Sequence, residues 1–339
     1  MPVVSVIIPF YNAETYLADS LGTVCGQSLT DIEIICIDDG STDRTYALLN
    51  EYAEKDSRIR VIHQENQGAG AARNVGLRLA KGDYLSFLDA DDIYTKDMLE
   101  CAYKKAVDDR AEIVIFQSDI FDNNTKTYSP NKDTIRYDLI PDFRPYAGTD
   151  VKKDVFGSII GWAWDKLFEA SFIRKTGLQF QEQRSTNDAF FVFCAYAVAD
   201  RISICDRLLV HHRMNIGSSV SSTREKSWQC FYYALIAMRG FLKERNLYAR
   251  FEEDYINYAV LFSMWNFQTL KEPQQEYLYN ALKKEWFQEL GIDTFPRDKF
   301  YHNSLYLKYL IIKMFPFRIG KCIFFAAGKW RLLFPKNRD

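Results

Sequence analysis

Residues 82–92 read Gly82-Asp83-Tyr84-Leu85-Ser86-Phe87-Leu88-Asp89-Ala90-Asp91-Asp92. The apolar run 84–88 is short enough to be one buried strand, and three carboxylates follow it within four positions with no Lys or Arg between them. Because these carboxylates repel one another, they favour a hard divalent cation such as Mg²⁺ or Mn²⁺, which in turn favours a phosphate-bearing ligand. The stretch therefore predicts a metal site at the end of a buried strand.

The residues before this stretch alternate between strand-like and helix-like patterns. Short β-branched runs at 3–8, 33–37, 59–62 and 84–88 are separated by helical periodicity at 13–26, 41–55 and 69–79. This alternation predicts an α/β fold with a doubly wound, mostly parallel sheet flanked by helices. Ligands of such sheets bind beyond the carboxyl ends of the strands, where both Asp38-Asp39 and 89–92 fall.

The alternation weakens after residue 92. We predict helices at 98–107, 164–172 and 188–198, and strands at 113–121, 126–129 and 201–212. From 225 to 290 the periodicity is helical, with about three helices and Pro273 as the clear break. The fold is therefore expected to continue into a helical C-terminal extension.

The last part of the chain differs in charge from the rest. Residues 299–339 carry nine basic residues and one acid, so 1–298 carry −10 of a total charge of −2. Apolar residues at helical spacing form one stripe at Leu307, Leu310, Ile311, Met314 and Phe315 and a second over 319–334. The tail 295–339 is therefore expected to be a basic amphipathic element on an anionic membrane surface, with a pair of core helices as the alternative.

Composition indicates a cytoplasmic protein. The seven cysteines are scattered and form no Cys-x-x-Cys pair, as is typical of reduced thiols. A strand pattern begins at once, without a signal peptide, and the longest uncharged run, 256–270, is too short and too polar to span a bilayer. We expect a protein peripheral on the inner face of the cytoplasmic membrane, with no nucleic-acid partner.

Two glycine-containing segments follow the second and third predicted strands. In Asp38-Asp39-Gly40-Ser41-Thr42-Asp43 a carboxylate can accept a hydrogen bond from uracil or ribose, although an ordinary strand-to-helix turn would look the same. Residues 66–76 open a helix, so their N–H groups and Arg73 can bind a diphosphate or a sugar. They are not a dinucleotide fingerprint, because they follow the third strand and Arg73 replaces the last glycine.

Four motifs in order resemble family-2 glycosyltransferases. They are Val6-Ile7-Ile8-Pro9-Phe10-Tyr11-Asn12, residues 38–43, Gly68-x-Gly70-x-x-Arg73-Asn74-x-Gly76, and residues 82–92. The resemblance is close over 3–100 and looser to about 223. It implies a GT-A fold and an inverting transfer from a nucleotide sugar, usually a UDP-sugar. The implied domains are a GT-A domain at 1–223 (nucleotide-binding half 1–100, acceptor half 101–223), a helical extension at 224–294 and the tail at 295–339.

The resemblance also implies roles for single residues. Asp39 resembles the carboxylate that contacts uracil, Asp89 the ribose-side acid of the DxD motif, and Asp91 the acid that binds the Mn²⁺ or Mg²⁺ joined to the diphosphate. That metal neutralises the charge on the departing nucleotide. The donor nucleotide is expected to contact Pro9, Tyr11, Asn12, Asp39, Gly68, Arg73, Asp89 and Ala90.

An inverting transfer also needs a general base for the acceptor hydroxyl. The family places it in a Glu-Asp pair at the start of a helix, and the matching residues here are Asn187-Asp188. Asp188 is therefore the predicted base, although the Glu is replaced. A helix start lowers the basicity of a carboxylate and apolar neighbours such as Phe190 raise it. The alternative is that Asp188 is only an N-cap.

Three further residues belong to less specific segments. Trp164 lies in a segment that resembles the acceptor region, where a ring can stack on a sugar, and a buried core tryptophan is the other interpretation. His212 and Arg213 end a predicted strand in a region that, in similar enzymes, adds a metal ligand or a diphosphate contact. We assign His212 to the metal and Arg213 to the diphosphate or acceptor. A surface histidine pair would look the same.

The predicted function is a metal-dependent inverting glycosyltransferase that adds one sugar to a glycan or lipid-linked oligosaccharide in surface polysaccharide synthesis. A processive synthase would carry transmembrane helices and a Gln-x-x-Arg-Trp motif, whereas Gln181-Glu182-Gln183-Arg184 is followed by Ser185. A nucleotidyltransferase would need a glycine-rich loop after the first strand. A catalytically silent nucleotide-sugar-binding or scaffold subunit is the alternative, because Asn187 leaves the base motif incomplete.

Overall fold

The computed structural model describes residues 1–131, 134–216 and 220–333, and the chain divides into two compact units, Met1–Ser222 and Thr223–Asp339. The strands of the first unit are β1 Val4–Phe10, β2 Ile32–Asp39, β3 Ile59–Gln64, β4 Tyr84–Phe87, β5 Ile93–Tyr94, β6 Ile113–Asp122, β7 Thr127–Pro130, β8 Lys166–Glu169 and β9 Ile202–Met214. Its helices are α1 Leu17–Cys25, α2 Thr45–Lys55, α3 Ala69–Leu79, α4 Met98–Asp109, α5 Ala170–Thr176 and α6 Ala189–Val198, with 3₁₀ turns at Gly148–Asp150 and Val155–Gly157.

The strands of the first unit form a single sheet in the order β3-β2-β1-β4-β8-β6-β9-β5, with β7 paired to β6. The first four in this order are parallel, and Phe10, Asp38 and His63 are neighbours across β1, β2 and β3. Val, Ile and Phe side chains make β1 almost wholly buried. Because these strands run in one direction, the loops after β1, β2 and β4 meet at one edge of the sheet, as predicted.

Beyond β4 the sheet is mixed, and one predicted helix is wrong there. Residues 166–169, predicted as part of a helix over 164–172, form β8, which lies antiparallel between β4 and β6. The residues of β8 other than Glu169 are buried. Consecutive burial erases the alternation that normally marks a strand, so the run could not be told from a buried helix. Helix α5 begins directly after it, at Ala170.

Close packing at two glycines holds α3 against the rest of the first unit. A Cβ at Gly70 would lie 2.0 Å from the carbonyl oxygen of Gln181, and a Cβ at Gly76 would lie 2.3 Å from a methyl carbon of Ile7. Only glycine permits such approaches. The start of α3 is thereby pressed onto the segment that leads to Asp188, which brings distant parts of the chain to the same edge.

The second unit is helical, as predicted for the C-terminal extension. Its elements are α7 Cys230–Glu244, α8 Tyr248–Thr269, α9 Gln274–Ala281, a π-helical turn Leu282–Trp286, α10 Phe287–Glu289, a 3₁₀ turn Arg297–Lys299, α11 Asn303–Met314 and α12 Phe317–Leu333. A further 3₁₀ segment, Val220–Ser227, crosses the boundary between the units. Among the described residues, no helix combines the length and apolarity needed to cross a membrane.

Helix α11 packs through a face other than the predicted stripe. Leu305 and Ile312 are buried, whereas Leu307 is 55% and Met314 68% exposed. The hydroxyl of Tyr279 donates to the carbonyl oxygens of Ile311 and Phe315 at 3.1 and 3.0 Å. The start of the tail is thus hydrogen-bonded to α9 of the same unit, while part of its apolar stripe is exposed. Residues 334–339, the end of the predicted tail, lie outside the described residues.

Candidate active site

The carboxylate cluster of the opening stretch lies in the loop after β4. Oxygens of Asp89, Asp91 and Asp92 lie within 4.8 Å of one another, and the described residues contain no other such group of three. Asp92 is fully buried. Burial, with repulsion by Asp92 and Asp89, raises the pKa of Asp91 to about 8, and burial also raises the pKa of Asp92. Ionisation of all three carboxylates is therefore unfavourable by itself, and a bound cation would relieve their repulsion.

The donor atoms of this cluster suit a hard divalent ion. All of them are carboxylate oxygens, which Mg²⁺ and Mn²⁺ prefer. Asp92 already accepts hydrogen bonds from Nδ1 of His212 and from the main-chain N–H of Arg213, both at 2.9 Å. Asp89 and Asp91 are therefore the residues that would hold the ion, while Asp92 supports the loop. Ala90, which separates Asp89 from Asp91 in the sequence, packs against the hydrophobic core.

His212 lies beside the cluster. Its ring stacks on Trp164 with centroids 4.9 Å apart, and its centroid is 5.2 Å from that of Trp162. Burial lowers the pKa of His212, but the attraction of the neighbouring carboxylates, Asp92 first, outweighs burial and raises the pKa to about 9. Because Nδ1 is bonded to Asp92, the metal bond predicted for His212 would have to use Nε2.

Trp164 lies in the core in this structure. It is 2% exposed and stacks on Trp162 with centroids 4.9 Å apart, so its ring has little surface to offer a sugar. Trp162 keeps partial exposure, and its carbonyl oxygen accepts a hydrogen bond from Nζ of Lys166 at 2.8 Å. Sequence reasoning missed Trp162, for which a second tryptophan two positions before Trp164 was the available signal.

Lys166 and Asp165 form a buried ion pair, which sequence reasoning also missed. Nζ of Lys166 lies 2.5 Å from Oδ1 of Asp165, with the side chains 1% and 0% exposed. Nζ also donates to the carbonyl oxygen of Ile160 at 2.9 Å. The available signal was adjacent opposite charges within an otherwise apolar run. The pair keeps a cation and its counter-ion away from solvent.

The turns after β1 and β2, predicted to meet the nucleotide base, are joined by Asn12. Its main-chain N–H donates to Oγ of Ser41 at 3.0 Å, and its Oδ1 accepts from the N–H of Thr42 at 2.8 Å. Asn12 takes a positive φ of 48°, which asparagine tolerates well. Tyr11 is 52% exposed beside it, and Pro9 lies within β1. The structure thus brings these three predicted residues together.

Asp39 fixes the turn before α3. It is 2% exposed, and its carboxylate accepts hydrogen bonds from the side chain of Gln64 at 2.7 Å and from the N–H groups of Gln67 and Gly68 at 2.9 and 2.8 Å. Gly68 has a φ of 90°, which glycine adopts readily. Asp39 is predicted to accept a hydrogen bond from an N–H group of the nucleotide base. That bond would be made to carboxylate oxygens that already accept hydrogen bonds from the turn.

Arg73 joins the metal loop, residues 88–92 with the carboxylate cluster, to the segment before α6. Its Nη2 donates to Oδ1 of Asp89 at 2.5 Å and its Nη1 to Oδ1 of Asn187 at 2.8 Å. Arg73 is 6% exposed, and its guanidinium carbon lies 5.4 Å from the ring centroid of Phe180. Its Nε has no hydrogen-bond partner among the described residues. Asn187, at the position of the expected Glu, is therefore a structural partner of Arg73.

Asp188 lies at the N-terminus of α6, directly after Asn187. Within the described residues its side chain makes no capping hydrogen bond, so the geometry does not favour the N-cap alternative. Burial raises the pKa of Asp188 to about 6, against the lowering effect of Arg73. Burial thus outweighs the attraction of the Arg73 guanidinium for the carboxylate. A carboxylate with a pKa near neutrality is suited to accept a proton.

Arg213 follows His212 at the end of β9. It is 4% exposed, and its Nε donates to the carbonyl oxygen of Asp91 at 2.7 Å. Arg213 therefore packs against the main chain of the metal loop. Its predicted contact with a diphosphate would compete with this bond.

Comparison with known proteins places the chain among sugar-transferring enzymes. The family model described as glycosyl transferase family 2 matches residues 5–196. The putative glycosyltransferase EpsH of Bacillus subtilis is 31% identical over 266 residues, which cover 77% of this chain and 75% of EpsH. The family match includes all the motifs named above and reaches past Asp188.

Solved structures share the fold at lower identity. TarS of S. aureus (residues 1–349), in complex with UDP-GlcNAc, matches with a TM-score of 0.67 and 20% identity over 92% of this chain and 90% of TarS. The mannosyltransferase PcManGT of Pyrobaculum calidifontis, in complex with GDP-Man and Mn²⁺, matches with a TM-score of 0.52 and 18% identity over 91% and 87% of the two chains.

Proposed function

This chain belongs to glycosyl transferase family 2, and from that premise we propose that it is a metal-dependent inverting enzyme that moves one sugar from a UDP-sugar to a hydroxyl. The acceptor in this proposal is a glycan or lipid-linked oligosaccharide of surface polysaccharide synthesis. The GT-A fold and the glycosyltransferase class predicted from the motifs are confirmed. We assign the chemistry to residues 1–223, with the nucleotide on 1–100 and the acceptor on 101–223.

The observation that carries the proposal is the link from Asp89 through Arg73 to Asn187 and Asp188. One guanidinium bonds the DxD loop and the residue before the proposed base. The donor and the acceptor hydroxyl must meet within bonding distance for transfer, and a rigid bridge between their sites supplies that positioning. A binding subunit without activity would not need a carboxylate with a raised pKa at this place.

In the proposed reaction Asp188 accepts the proton of the acceptor hydroxyl as its oxygen attacks the anomeric carbon. The bond from that carbon to the nucleotide's phosphate oxygen breaks, and the nucleoside diphosphate departs with the electron pair. Arg73 keeps Asp89 in place, and the turn fixed by Asp39 lies on the nucleotide side. A divalent ion held by Asp89 and Asp91 would neutralise charge on the diphosphate.

The choice of donor and metal rests on chemistry and on fold neighbours. The all-carboxylate cluster fits Mn²⁺ or Mg²⁺, and one structure of the same fold contains Mn²⁺. UDP-GlcNAc occupies the neighbour with the higher TM-score, whereas GDP-Man occupies the other. We therefore propose a UDP-sugar first and a GDP-sugar as the competitor to be tested beside it.

Transfer itself is the test of this function. We expect label from a radioactive UDP-sugar to appear on a glycan or lipid-linked oligosaccharide when wild-type protein and Mn²⁺ are present. Nucleoside diphosphate should be released in equal amount, because one donor is cleaved for each bond formed. Donor that binds at saturation while no label moves to any acceptor would favour the silent-subunit alternative. Label that moves equally well in EDTA would contradict the metal requirement.

We further propose that the tail 295–339 attaches the protein to the inner face of the cytoplasmic membrane. The exposed side chains of Leu307 and Met314 supply apolar surface, and exposed Arg318 lies close in sequence. Apolar insertion and the attraction of basic residues to anionic lipid reinforce each other. Two of the tail's basic residues are already paired within the unit, Lys313 with Asp293 and Lys321 with Glu272.

The double substitution Leu307→Ser and Met314→Ser should weaken binding to phosphatidylglycerol vesicles about tenfold or more. Each buried apolar side chain of this size contributes about 1.5–3 kcal/mol when fully transferred, and partial insertion gives less. Sedimentation with vesicles measures the effect. Leu261→Ser, an exposed leucine of α8, is the matched control and should change nothing. Equal binding by the double variant and wild type would contradict attachment through this stripe.

A further inference from the structure

We propose that Arg213 is a positioning residue of the metal site, which fixes the loop carrying Asp91 and Asp92 and does not bind the diphosphate. The inference rests on the proposed metal role of Asp89 and Asp91. From the sequence alone, the charge of Arg213 and its place at the end of β9 predicted a contact with the diphosphate or the acceptor. Its surroundings in the structure indicate a different role.

Arg213 bonds the metal loop at two successive residues. Its main-chain N–H donates to Oδ1 of Asp92 at 2.9 Å, and its Nε donates to the carbonyl oxygen of Asp91 at 2.7 Å. One bond holds the side chain of Asp92, and the other holds the peptide that follows the Cα of Asp91. Together they limit the directions in which the Asp91 carboxylate can point, which is what an ion with strict ligand geometry needs.

The other end of the guanidinium is anchored to two further segments of the sheet edge. Nη1 donates to Oδ1 of Asn123, just after β6, at 3.1 Å, and Nη2 donates to Oδ2 of Asp19 in α1 at 3.2 Å. The guanidinium carbon also lies 5.0 Å from the ring centroid of Tyr16 and 5.3 Å from that of Phe121. The metal loop is thereby tied to the segments that follow β1 and β6.

These contacts leave Arg213 poorly placed as a diphosphate ligand. Each of its three guanidinium nitrogens already donates to a protein oxygen, and the residue is 4% exposed. Its charge is balanced by Asp19, whose side chain is 64% exposed. A planar guanidinium can serve three acceptors in fixed directions, whereas a lysine ammonium at the end of a flexible chain cannot reproduce them. Arg213→Lys therefore keeps the charge and loses the geometry.

The test is Mn²⁺ binding in the absence of any nucleotide, followed by electron paramagnetic resonance of the free ion. Arg213→Lys should weaken Mn²⁺ binding about 10- to 100-fold, the usual cost of removing an outer partner of a metal site. Arg207→Lys is the matched control, because Arg207 lies on the same strand, pairs with Asp97 and has a side chain that is 56% exposed. It should bind Mn²⁺ as wild type does.

The outcomes separate the two roles of Arg213. Unchanged Mn²⁺ affinity in Arg213→Lys overturns the inference, and if UDP affinity then falls in the presence of Mn²⁺, Arg213 is a diphosphate ligand. Should Arg213→Lys fail to fold, Asn123→Ala decides, because it removes one anchor and should weaken Mn²⁺ binding in the same direction to a smaller extent. Unchanged binding in that variant overturns the inference as well. A wild-type protein that binds no Mn²⁺ overturns the proposed metal role and this inference together.

Discussion

Asp188→Asn is expected to lower the rate of sugar transfer about 10²- to 10⁴-fold while the affinity for the donor stays unchanged. The amide matches the carboxylate in size but cannot accept the acceptor's proton, and general-base catalysis contributes a factor of this order. In the proposed site the donor is held by other residues, above all the cluster at 89–92. Release of nucleoside diphosphate at saturating donor measures the rate, and calorimetry measures donor affinity.

The same residue should set the pH dependence of the wild-type enzyme. Asp188 must be ionised to accept a proton, and burial raises its pKa to about 6. The value of kcat/KM should therefore fall about tenfold per pH unit below pH 6 and level off above it. In Asp188→Asn the kcat/KM of the remaining activity should no longer fall in this way below pH 6. A wild-type profile that is flat between pH 5 and 7 would assign the proton transfer to another group.

Loss of activity in Asp188→Asn will not reflect unfolding. A carboxyl whose folded-state pKa is raised stabilises the fold below its unfolded pKa, and this contribution disappears as the pH rises through about 6. At pH 7.5 the charge of the partly buried Asp188 therefore lowers stability, and the neutral amide removes it. The melting temperature of the variant should be at least that of wild type. Full transfer activity in a variant of this stability would direct the search to another acid, with Glu182 the first to test.

Much of the site could be predicted because its residues lie in short motifs at strand ends. Asp39 ends β2, and Asp89 and Asp91 follow β4. Parallel strands bring such ends to one edge of the sheet whatever the rest of the chain does. The β–α alternation that establishes this half is a local pattern. The position of these carboxylates at one edge of the sheet could therefore be predicted without knowledge of the packing.

The rest depended on contacts between distant parts of the chain. Residues 166–169, predicted as helix, form strand β8, which lies inside the sheet between β4 and β6. The bond from Arg73 to Asn187 spans 114 positions, and no local pattern indicates it. The raised pKa of Asp188 is likewise a result of burial in the folded chain. Trp164 was predicted to lie near the acceptor, and its burial, which rules out much contact with a sugar, depends on contacts that the motif does not contain.

Asp91→Asn is expected to abolish metal-dependent donor binding, with a loss of at least about 100-fold in affinity. Removing outer-shell partners of metal sites already costs about 10- to 100-fold, and Asp91 would contact the ion directly. An amide oxygen carries no charge, so it cannot balance a divalent cation in place of a carboxylate. Asp56→Asn is the matched control, because Asp56 pairs with Arg58 before β3, at the opposite ends of the parallel strands, and it should bind the donor as wild type does.

The folded state of Asp91→Asn without metal should be no less stable than wild type at pH 8. Burial and two neighbouring carboxylates raise the pKa of Asp91 to about 8, so its ionisation opposes folding as the pH rises through that value. The substitution removes this repulsion together with the metal ligand. Thermal unfolding in EDTA measures the effect, and a large drop in melting temperature would mean that Asp91 supports the fold.

The most direct test of the account is a thermal-shift panel of UDP-, GDP- and dTDP-sugars, each with Mn²⁺ and with EDTA, on wild type and Asp91→Asn. A ligand that binds only the folded state raises its melting temperature by mass action. We predict that one nucleotide class, the UDP-sugars, stabilises wild type with Mn²⁺ and not with EDTA, and that Asp91→Asn shows no shift in either. An equal shift in EDTA, or in Asp91→Asn, would contradict a metal-bound donor at the carboxylate cluster.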